Sequence, residues 1–455
     1  MMRSLYSGVA GLKTHQTRMD VIGNNIANVN TTAYKSQSMT FSDLMYQTTQ
    51  AASGANPTTG VGGTNARQIG LGAKTSAIKT AITTQGASQT TNDPFDIMIT
   101  GDSFFIVNNG QNNYFTRDGS FYVDGAGNLA MTSTGYNVMG WKVDPNDASA
   151  IKQDTVSALR VMTTENMTYP PEATKSARIS GIIDKNDTNV NAAAGKIMNL
   201  EFYDNQGYKY TAKLSVHSTT TDGSFTVQLD DILDSKGKSV IKTKDSDAYL
   251  SQGNTKYDGT TSAVLEFNTS NGSFKNVGTA GKTESTLTLH FDTGTFPSFT
   301  DITIDFSNCS NLNNNGSSTV SPIRGDAKGN GAGRKVGEMS GIDIQKDGMI
   351  YANYDNGCSR LLGQIAVATF ANASGLAKEG DNLYSATQNS GDFDGIGTDI
   401  TTGGGYMNTG VLEMSNVDLS SEFTEMITTQ RGFQANSRII TVSDTLLEEL
   451  TNLKR

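Results

Sequence analysis

Apolar residues recur at seven-residue intervals in the C-terminal segment 416–455. No proline interrupts the series Leu419, Met426, Phe433, Ile440 and Leu447. A strict seven-residue apolar repeat is typical of a helix that packs against other helices. The pattern therefore predicts a helix over 417–455, with Asp418 as its N-cap and with Lys454 and Arg455 in its last turn.

The second column of the same helix is mostly polar. Its positions are Phe423, Gln430, Ser437 and Asp444. Because polar side chains in a helix seam cost stability, two copies of this helix would form only a weak coiled coil. Taken alone, the segment is more typical of an amphipathic helix that lies on its own domain.

The N-terminal segment carries a matching pattern, which changes that interpretation. One column is formed by Leu5, Leu12, Met19 and Ile26, and the column beside it by Val9, Gln16 and Gly23. Each glycine in a helix costs about 1 kcal/mol relative to alanine, so a helix over 1–30 should become ordered only when it packs. Because both ends show the same pattern, we expect them to pair and to find most of their partners on other copies of the chain.

Charged residues argue against a membrane role for the N-terminal segment. Lys13, His15, Arg18 and Asp20 interrupt any apolar stretch of the length that a cleaved signal peptide needs. No other apolar run is long enough for a transmembrane helix. We therefore expect neither signal cleavage nor membrane insertion.

Short apolar runs separated by turns predict β-structure through the rest of the chain. The alternation of Phe225, Val227 and Leu229 is typical of a strand with one solvated face. We predict a mainly β fold with α-helical termini that pair as a coiled coil, and an inner β domain split by an inserted outer β domain. The predicted segments are helix 1–30, linker 31–72, inner domain 73–143, outer domain 144–332, inner domain 333–403, linker 404–416 and helix 417–455.

Composition and charge narrow the class of partner. A length of 455 residues suggests about three domains, and the 48 glycines fit a turn-rich β protein. The net charge of -10, without a basic cluster, argues against nucleic acid as a partner. Cys309 and Cys358 are expected in different domains, as free thiols.

No group of residues in the sequence predicts catalysis. His15, His217 and His290 lie far apart in the chain and are expected in solvated structural roles. The segment 278–283 has too few residues between its glycines for a phosphate-binding loop. The segment 392–399 lacks the third acidic ligand and the closing glutamate of a calcium loop. We therefore expect no enzyme activity, no cofactor and no metal.

Two terminal motifs resemble those of a known family. The first comprises Ser4 to Leu12 and the asparagine-rich stretch Asn24 to Lys35, where Ala33 replaces the usual glycine. The second runs from Asn416 to Asp444, where Phe433 replaces the more usual tyrosine. Both are similar to the termini of the bacterial flagellar axial proteins, the rod and hook family. Shorter stretches extend the resemblance over both flanks, at 101–107, 116–121 and 363–370.

This resemblance implies a structural subunit that polymerises with identical copies into a tube outside the cell. It also implies export through the flagellar type III apparatus without signal cleavage. Rod members of the family are generally shorter, and a large inserted outer domain favours the hook members, whose flexible curved tube transmits torque as a universal joint. The expected neighbours are the distal rod protein, the hook cap and the hook–filament junction proteins.

The residues expected to make subunit contacts are the columns of both helices and the asparagines at the end of the first. They are Leu5, Val9, Leu12, Met19, Asn24, Asn25, Ile26, Asn28, Asn30, Leu419, Phe423, Met426, Gln430, Phe433, Ile440 and Leu447. Two alternatives stay open: a distal rod protein of the basal body with an enlarged insertion, and a secreted adhesin or glycan-binding β protein with oligomerising helices.

Overall fold

The chain forms two compact units. The structure, a computed structural model, describes residues 2–54, 60, 62–242, 246–253, 255–257, 262–279 and 283–453. The first unit comprises Met1–Thr163, Ile342–Ala352 and Arg360–Arg455, and the second comprises Thr164–Gly341 and Asn353–Ser359. The second unit is therefore inserted in sequence into the first. The fold is mainly β with a helix at each end, as predicted.

The first part of the chain begins with helix α1 (Met2–Ala27). At its end, the side-chain amide of Asn28 donates to the carbonyl of Asn24 at 2.8 Å and so satisfies a terminal carbonyl of the helix. The strands that follow are β1 (Gln37–Asp43), β2 (Tyr46–Gln50), β3 (Arg67–Gly70), β4 (Ala73–Thr80), β5 (Ser88–Thr90), β6 (Ile97–Ile99), β7 (Phe104–Asn108), β8 (Asn113–Thr116), β9 (Phe121–Val123), β10 (Leu129–Met131), β11 (Asn137–Asp144), β12 (Asp147–Ile151) and β13 (Ser157–Ala158).

Residues 37–50 and 67–80 form an antiparallel ribbon beside α1. Strand β1 pairs with β4, and β2 pairs with β3. Gly72 lies against α1, since a Cβ at this position would be 3.0 Å from the Cβ of Ala10. The predicted linker 31–72 therefore contains three of these strands.

The core of the first unit is built on β7, which pairs with β8 and β11. Its strands are short and rich in aromatic and β-branched residues, such as the buried Phe104, Phe105, Ile106 and Val107. One buried apolar cluster includes Phe105 and a second includes Phe104 with Trp141, so the two faces of β7 are both covered.

The second unit contains β14 (Thr168–Tyr169), β15 (Ser176–Ile183), β16 (Lys196–Tyr203), β17 (Lys209–Ser218), β18 (Ser224–Leu233), β19 (Ala248–Gln252), β20 (Thr255–Tyr257), β21 (Ala263–Phe267), β22 (Phe274–Gly278), β23 (Thr286–Phe291), β24 (Ile302–Asn311) and β25 (Ser321–Arg324), and β26 (Gly337–Ile344) begins in it. One sheet has the order β20-β19-β23-β24-β15-β25 and the other β16-β17-β18-β21-β22. Apolar residues of both sheets form one buried cluster, which includes Phe202, Leu265 and Leu289. Alternating burial along β21 fits the predicted strands with one solvated face.

The last part of the chain forms β27 (Met349–Tyr354), β28 (Ser359–Ile365), β29 (Val367–Ala368), β30 (Ala377–Gly380), β31 (Leu383–Ser385), β32 (Met407–Thr409), β33 (Val411–Glu413) and helix α2 (Leu419–Asn452), with short 3-10 helices at Ala373–Gly375 and Ile400–Gly403. Strand β28 pairs with β11, β32 with β6 and β33 with β5. The predicted linker 404–416 therefore contains two strands. Asp418 caps α2 by accepting from the N–H of Ser420, which confirms the predicted N-cap.

The compact units are bounded differently from the predicted domains. The first unit extends to Thr163, beyond the predicted end at residue 143, because β12 and β13 pair with β11. The second unit extends past residue 332, the predicted end of the outer domain, to Gly341. It also includes residues 353–359. Both cysteines are free, as predicted, and both are buried. Their expected placement in different domains is wrong, because Cys358 lies in the same unit as Cys309.

Candidate assembly site

The two terminal helices lie antiparallel on each other. Near the start of α1, the hydroxyl oxygen of Ser4 is 3.4 Å from that of Ser443 in α2. Near its end, the side-chain amide of Asn25 donates to the carboxylate of Glu422 at 2.8 Å. The described ends of the chain therefore meet in a helical hairpin, as the fold prediction requires.

The seam between these helices is made of small and polar residues. A Cβ on Gly11 would lie 2.8 Å from Nδ2 of Asn436, and one on Gly432 would lie 2.7 Å from Cε1 of His15. A Cβ on Gly8 would be 3.2 Å from Cγ1 of Ile440. Each glycine thus admits a side chain of the facing helix, which lets the two backbones approach closely.

An ion pair crosses the seam near its Asn25–Glu422 end. Arg18 donates to Glu425 at 2.9 Å, and its guanidinium lies 5.4 Å from the ring centroid of Phe41 in β1. The imidazole of His15 meets the edge of the same ring at 5.5 Å. Burial, and to a lesser extent the charge of Arg18, lower the pKa of His15. The histidine is therefore held in its neutral form at neutral pH.

Asn25 fastens the end of α1 to the chain that follows it. Its Oδ1 accepts from the N–H of Gln37 at 2.9 Å and from the hydroxyl of Tyr34 at 3.3 Å. Its Nδ2 donates to the carbonyl of Gln37 at 2.8 Å and to Glu422. This fully buried amide uses both its donors and both acceptor positions, which explains one asparagine of the motif.

The segments next to the two helices are also joined to each other. The N–H of Ala33 donates to the carbonyl of Glu413 at 2.8 Å. Asn416 accepts from the N–H of Ser36 at 2.7 Å and donates to the carbonyls of Ala81 and Thr84, each at 3.0 Å. A continuous set of hydrogen bonds therefore holds the helical hairpin on the inner strands.

Among the predicted contact residues, the structure buries Asn25 alone. The half-buried ones are Leu5, Leu12, Met19, Ile26, Asn28, Met426, Phe433, Ile440 and Leu447. The exposed ones are Val9, Asn24, Asn30, Leu419, Phe423 and Gln430. Of the predicted columns, Ile440 lies against Gly8 and so takes part in the seam within the chain.

A second set of apolar residues forms an exposed stripe along α2. Its members are spaced three or four positions apart and are Ile439, Val442, Leu446, Leu450 and Leu453, with exposed fractions of 43, 57, 45, 50 and 82%. We call these five residues the apolar stripe. On α1, Tyr6 is 65% exposed and Val9 is 54% exposed. Sequence reasoning missed the stripe because it followed the column one position away, at Ile440 and Leu447.

Of the residues in the seam, the prediction included Asn25 and Ile440 and missed the others. Ser4, Gly11, Arg18 and Asn25 share one seven-residue spacing on α1, and Glu422, Thr429, Asn436 and Ser443 share it on α2. This repeat of small and polar residues was visible in the sequence beside the apolar columns. A search for apolar residues alone does not find it.

Neither a metal centre nor a membrane span is found in the described part of the chain. Those residues contain no group of three or more His, Cys, Asp or Glu that could hold a metal ion. They also include no helix that is long and apolar enough to cross a membrane. Residues 280–282, which are half of the glycine-lysine stretch at 278–283, lie outside the described residues. So do Lys454 and Arg455, which were predicted in the last turn of the C-terminal helix.

Comparisons with known proteins match both ends of the chain to one group of families. Residues 5–35 match the family described as flagella basal body rod protein, and residues 408–453 match the flagellar basal body rod FlgEFG protein C-terminal family. Residues 98–180 match the flagellar hook protein FlgE/F/G D1 domain. These matches fall mainly in the first unit.

Relatives match over the whole chain. The flagellar hook proteins FlgE of Borreliella burgdorferi and Treponema pallidum are 37% and 34% identical, and each alignment covers 100% of this chain and 100% of the relative. The flagellar basal-body rod protein FlgG of Bacillus subtilis is 29% identical with the same coverage. The crystal structure of Helicobacter pylori flagellar hook protein FlgE2 covers 72% of this chain and 100% of its own, with 14% identity and a TM-score of 0.41.

Both hook proteins are similar to this chain over its full length, which includes the inserted second unit as well as the termini. The chain therefore belongs to the flagellar hook protein FlgE family of structural flagellar proteins.

Proposed function

We propose that identical copies of this hook subunit polymerise through their terminal helices into a flexible curved tube. The tube transmits torque from the rod to the filament while it bends, as a universal joint. Its neighbours are the distal rod protein, the hook cap and the hook–filament junction proteins. The subunit reaches this place outside the cell by export through the flagellar type III apparatus, and it has no enzyme activity.

The observation that carries this proposal is the apolar stripe on α2. Four of its side chains are between 43 and 57% exposed and the last, Leu453, is 82% exposed. Exposed apolar residues that form a continuous patch mark interaction surfaces, because their burial against a partner is favourable at about 25 cal/mol per Å². Ile439 lies at the edge of the seam, with Cγ2 3.7 Å from the Cβ position of Gly8, and the exposed parts of all five side chains are available to another copy.

The predicted columns add to the same surface. Leu5, Leu12 and Met19 on α1 and Met426 and Phe433 on α2 are half-buried at the flanks of the seam. A helix with a free flank on each side can pack against neighbours in two directions, which a tube wall requires. A contact that joins one patch to a different patch on the next copy builds a helical polymer when its repetition does not close into a ring.

The second unit suits the outer surface of such a tube. Its strands bury one face in the sandwich and present polar residues on the other, as in β16, where exposed Asn199 and Glu201 alternate with buried Met198, Leu200 and Phe202. Polar and hydrated contacts let neighbouring subunits slide, because no deep apolar interlock must be broken. This is the mechanical property that a bending tube needs.

Deletion tests this proposal at the level of the helices. A variant that lacks 1–30 and 417–455 should stay monomeric in sedimentation at concentrations at which the full chain forms long polymers. Its far-ultraviolet circular dichroism should retain the β signal. Polymers of the truncated chain would contradict assembly through the helices, and a full chain that forms only closed oligomers of fixed size would contradict the tube.

A further inference from the structure

Three charged side chains are buried together where the helical hairpin meets the inner strands. Lys35 and Arg117 are each 1% exposed and Glu413 is fully buried. The ammonium of Lys35 donates to Oε1 of Glu413 at 2.7 Å and to the carbonyl of Thr84 at 2.8 Å. Burial of charges at this depth is costly unless they are paired, so the three groups depend on one another.

Each of the three residues comes from a different part of the first unit. Lys35 follows α1, Glu413 ends β33 shortly before α2, and Arg117 lies between β8 and β9. The carboxylate of Glu413 also accepts from the N–H of Gly86 at 2.9 Å. One carboxylate therefore connects the bases of both helices with the inner strands.

The contact between Arg117 and Glu413 is longer than the contact with Lys35. Nη1 of Arg117 is 3.9 Å from Oε2 of Glu413, and both atoms are buried without a hydrogen-bond partner. Arg117 is held in place by the ring of Phe104, at 5.1 Å, and by its donation to the carbonyl of Gly101. A buried donor thus faces a buried acceptor, and a small movement of Glu413 would join them.

We propose that Lys35, Glu413 and Arg117 form a latch that holds the bases of both terminal helices on the inner β strands and releases them together. The physical reason is that a buried polar network in a low-dielectric interior is stable only when it is complete. Loss of the Glu413 charge leaves Lys35 and Arg117 buried without a counter-charge, and loss of Lys35 removes the closest contact of the cluster, so either change destabilises the whole junction. The helical hairpin then separates from a β core that stays folded.

Hydrogen exchange of the full-length chain in solution tests the latch. Lys35→Met and Glu413→Gln should each accelerate exchange in 33–37, 84–87 and both helices by about tenfold or more, since removal of one partner of a buried pair is strongly destabilising. Strands β7 and β8 should keep their protection. The double variant should exchange no faster than the single variants, because either change alone already opens the latch.

The matched control is Glu425→Gln, which removes an ion pair between the same two helices at a site where Glu425 is 51% exposed. Exposed pairs contribute little, so the change in exchange should stay below about threefold. Acceleration of only the helix next to each substitution would overturn the latch. So would a double variant that shows the product of the two single effects, or single variants in which β7 and β8 lose protection.

Discussion

The side-chain amide of Asn436 occupies the space beside Gly11, where a Cβ would lie 2.8 Å from its Nδ2. The same nitrogen donates to the carbonyl of Gly432 at 3.1 Å on its own helix. Glycine at position 11 therefore serves the contact between the helices, although it weakens α1 by itself. Gly23 on the same helix has no atom within 4 Å of its Cβ position and serves no such contact.

Alanine substitution separates these two effects of glycine. Gly23→Ala should raise the stability of the helical hairpin by about 1 kcal/mol, because alanine is the better helix former and meets no neighbour. Gly11→Ala gains the same propensity but displaces Asn436, so it should lower the stability relative to Gly23→Ala by about 1 to 3 kcal/mol. Thermal melting followed by circular dichroism at the helix band measures both. Equal stabilisation by the two changes would contradict the close packing at Gly11.

The buried asparagine of the motif should be far less replaceable than its exposed neighbour. Asn25→Ala leaves the backbone groups of Gln37 without their side-chain partner and should cost about 2 to 4 kcal/mol. Asn30→Ala, at an exposed position, should change stability by less than about 0.5 kcal/mol. Urea unfolding of the two variants beside the parent chain gives these differences. Similar losses for both would mean that the burial of Asn25 is unimportant.

The sequence predicts the helices better than it predicts their contacts. The heptad spacing of large apolar residues indicated both helices and the N-cap at Asp418. It could not indicate that Ser4, Gly8 and Gly11 form the seam, because close approach of two helices depends on small residues, which carry no hydrophobic signal. The same limit explains why the role of Asn25 appears only when Gln37 and Glu422 are seen beside it.

Strand boundaries and the division into units were harder to predict for a different reason. Strands β1 to β3 are mostly exposed and polar, so a pattern based on buried positions assigns them to a linker. Strands β12 and β13 join the first unit through pairing with β11, which depends on residues distant in sequence. Local patterns contain no information about such pairings.

The helical hairpin should lose stability in mild acid because of His15. Its pKa is lowered in the folded chain, so the unfolded chain binds a proton first as the pH falls through the usual value of 6.5. The free energy of unfolding should therefore decrease between about pH 7.5 and pH 5.5. The free energy of unfolding of the His15→Gln variant should decrease less over this interval than that of the parent chain. The pKa of Glu422 is also raised, but its effect is common to both chains and cancels in the comparison. Identical pH profiles would contradict this role of His15.

Ala33 adopts a backbone conformation that favours glycine, with a φ of 55°. Ala33→Gly removes a strain of about 1 kcal/mol but makes the unfolded chain more flexible, so stability should change by less than about 1 kcal/mol. Ala33→Val places a β-branched side chain at the same buried position and should cost more than about 2 kcal/mol. Thermal melting of the three chains checks the order. A valine variant as stable as the parent would rule out the left-handed conformation at residue 33.

Assembly through the apolar stripe is the central claim, and electron microscopy of polymers formed by point variants tests it most directly. Leu446→Lys changes a side chain that is 45% exposed in the single chain, so the fold should be retained while the charge opposes burial against another copy. Thr220→Lys, at an exposed position of the second unit, is the matched control. We expect long curved tubes from the parent chain and from Thr220→Lys, and only monomers from Leu446→Lys. Tubes of normal length from Leu446→Lys would contradict the account.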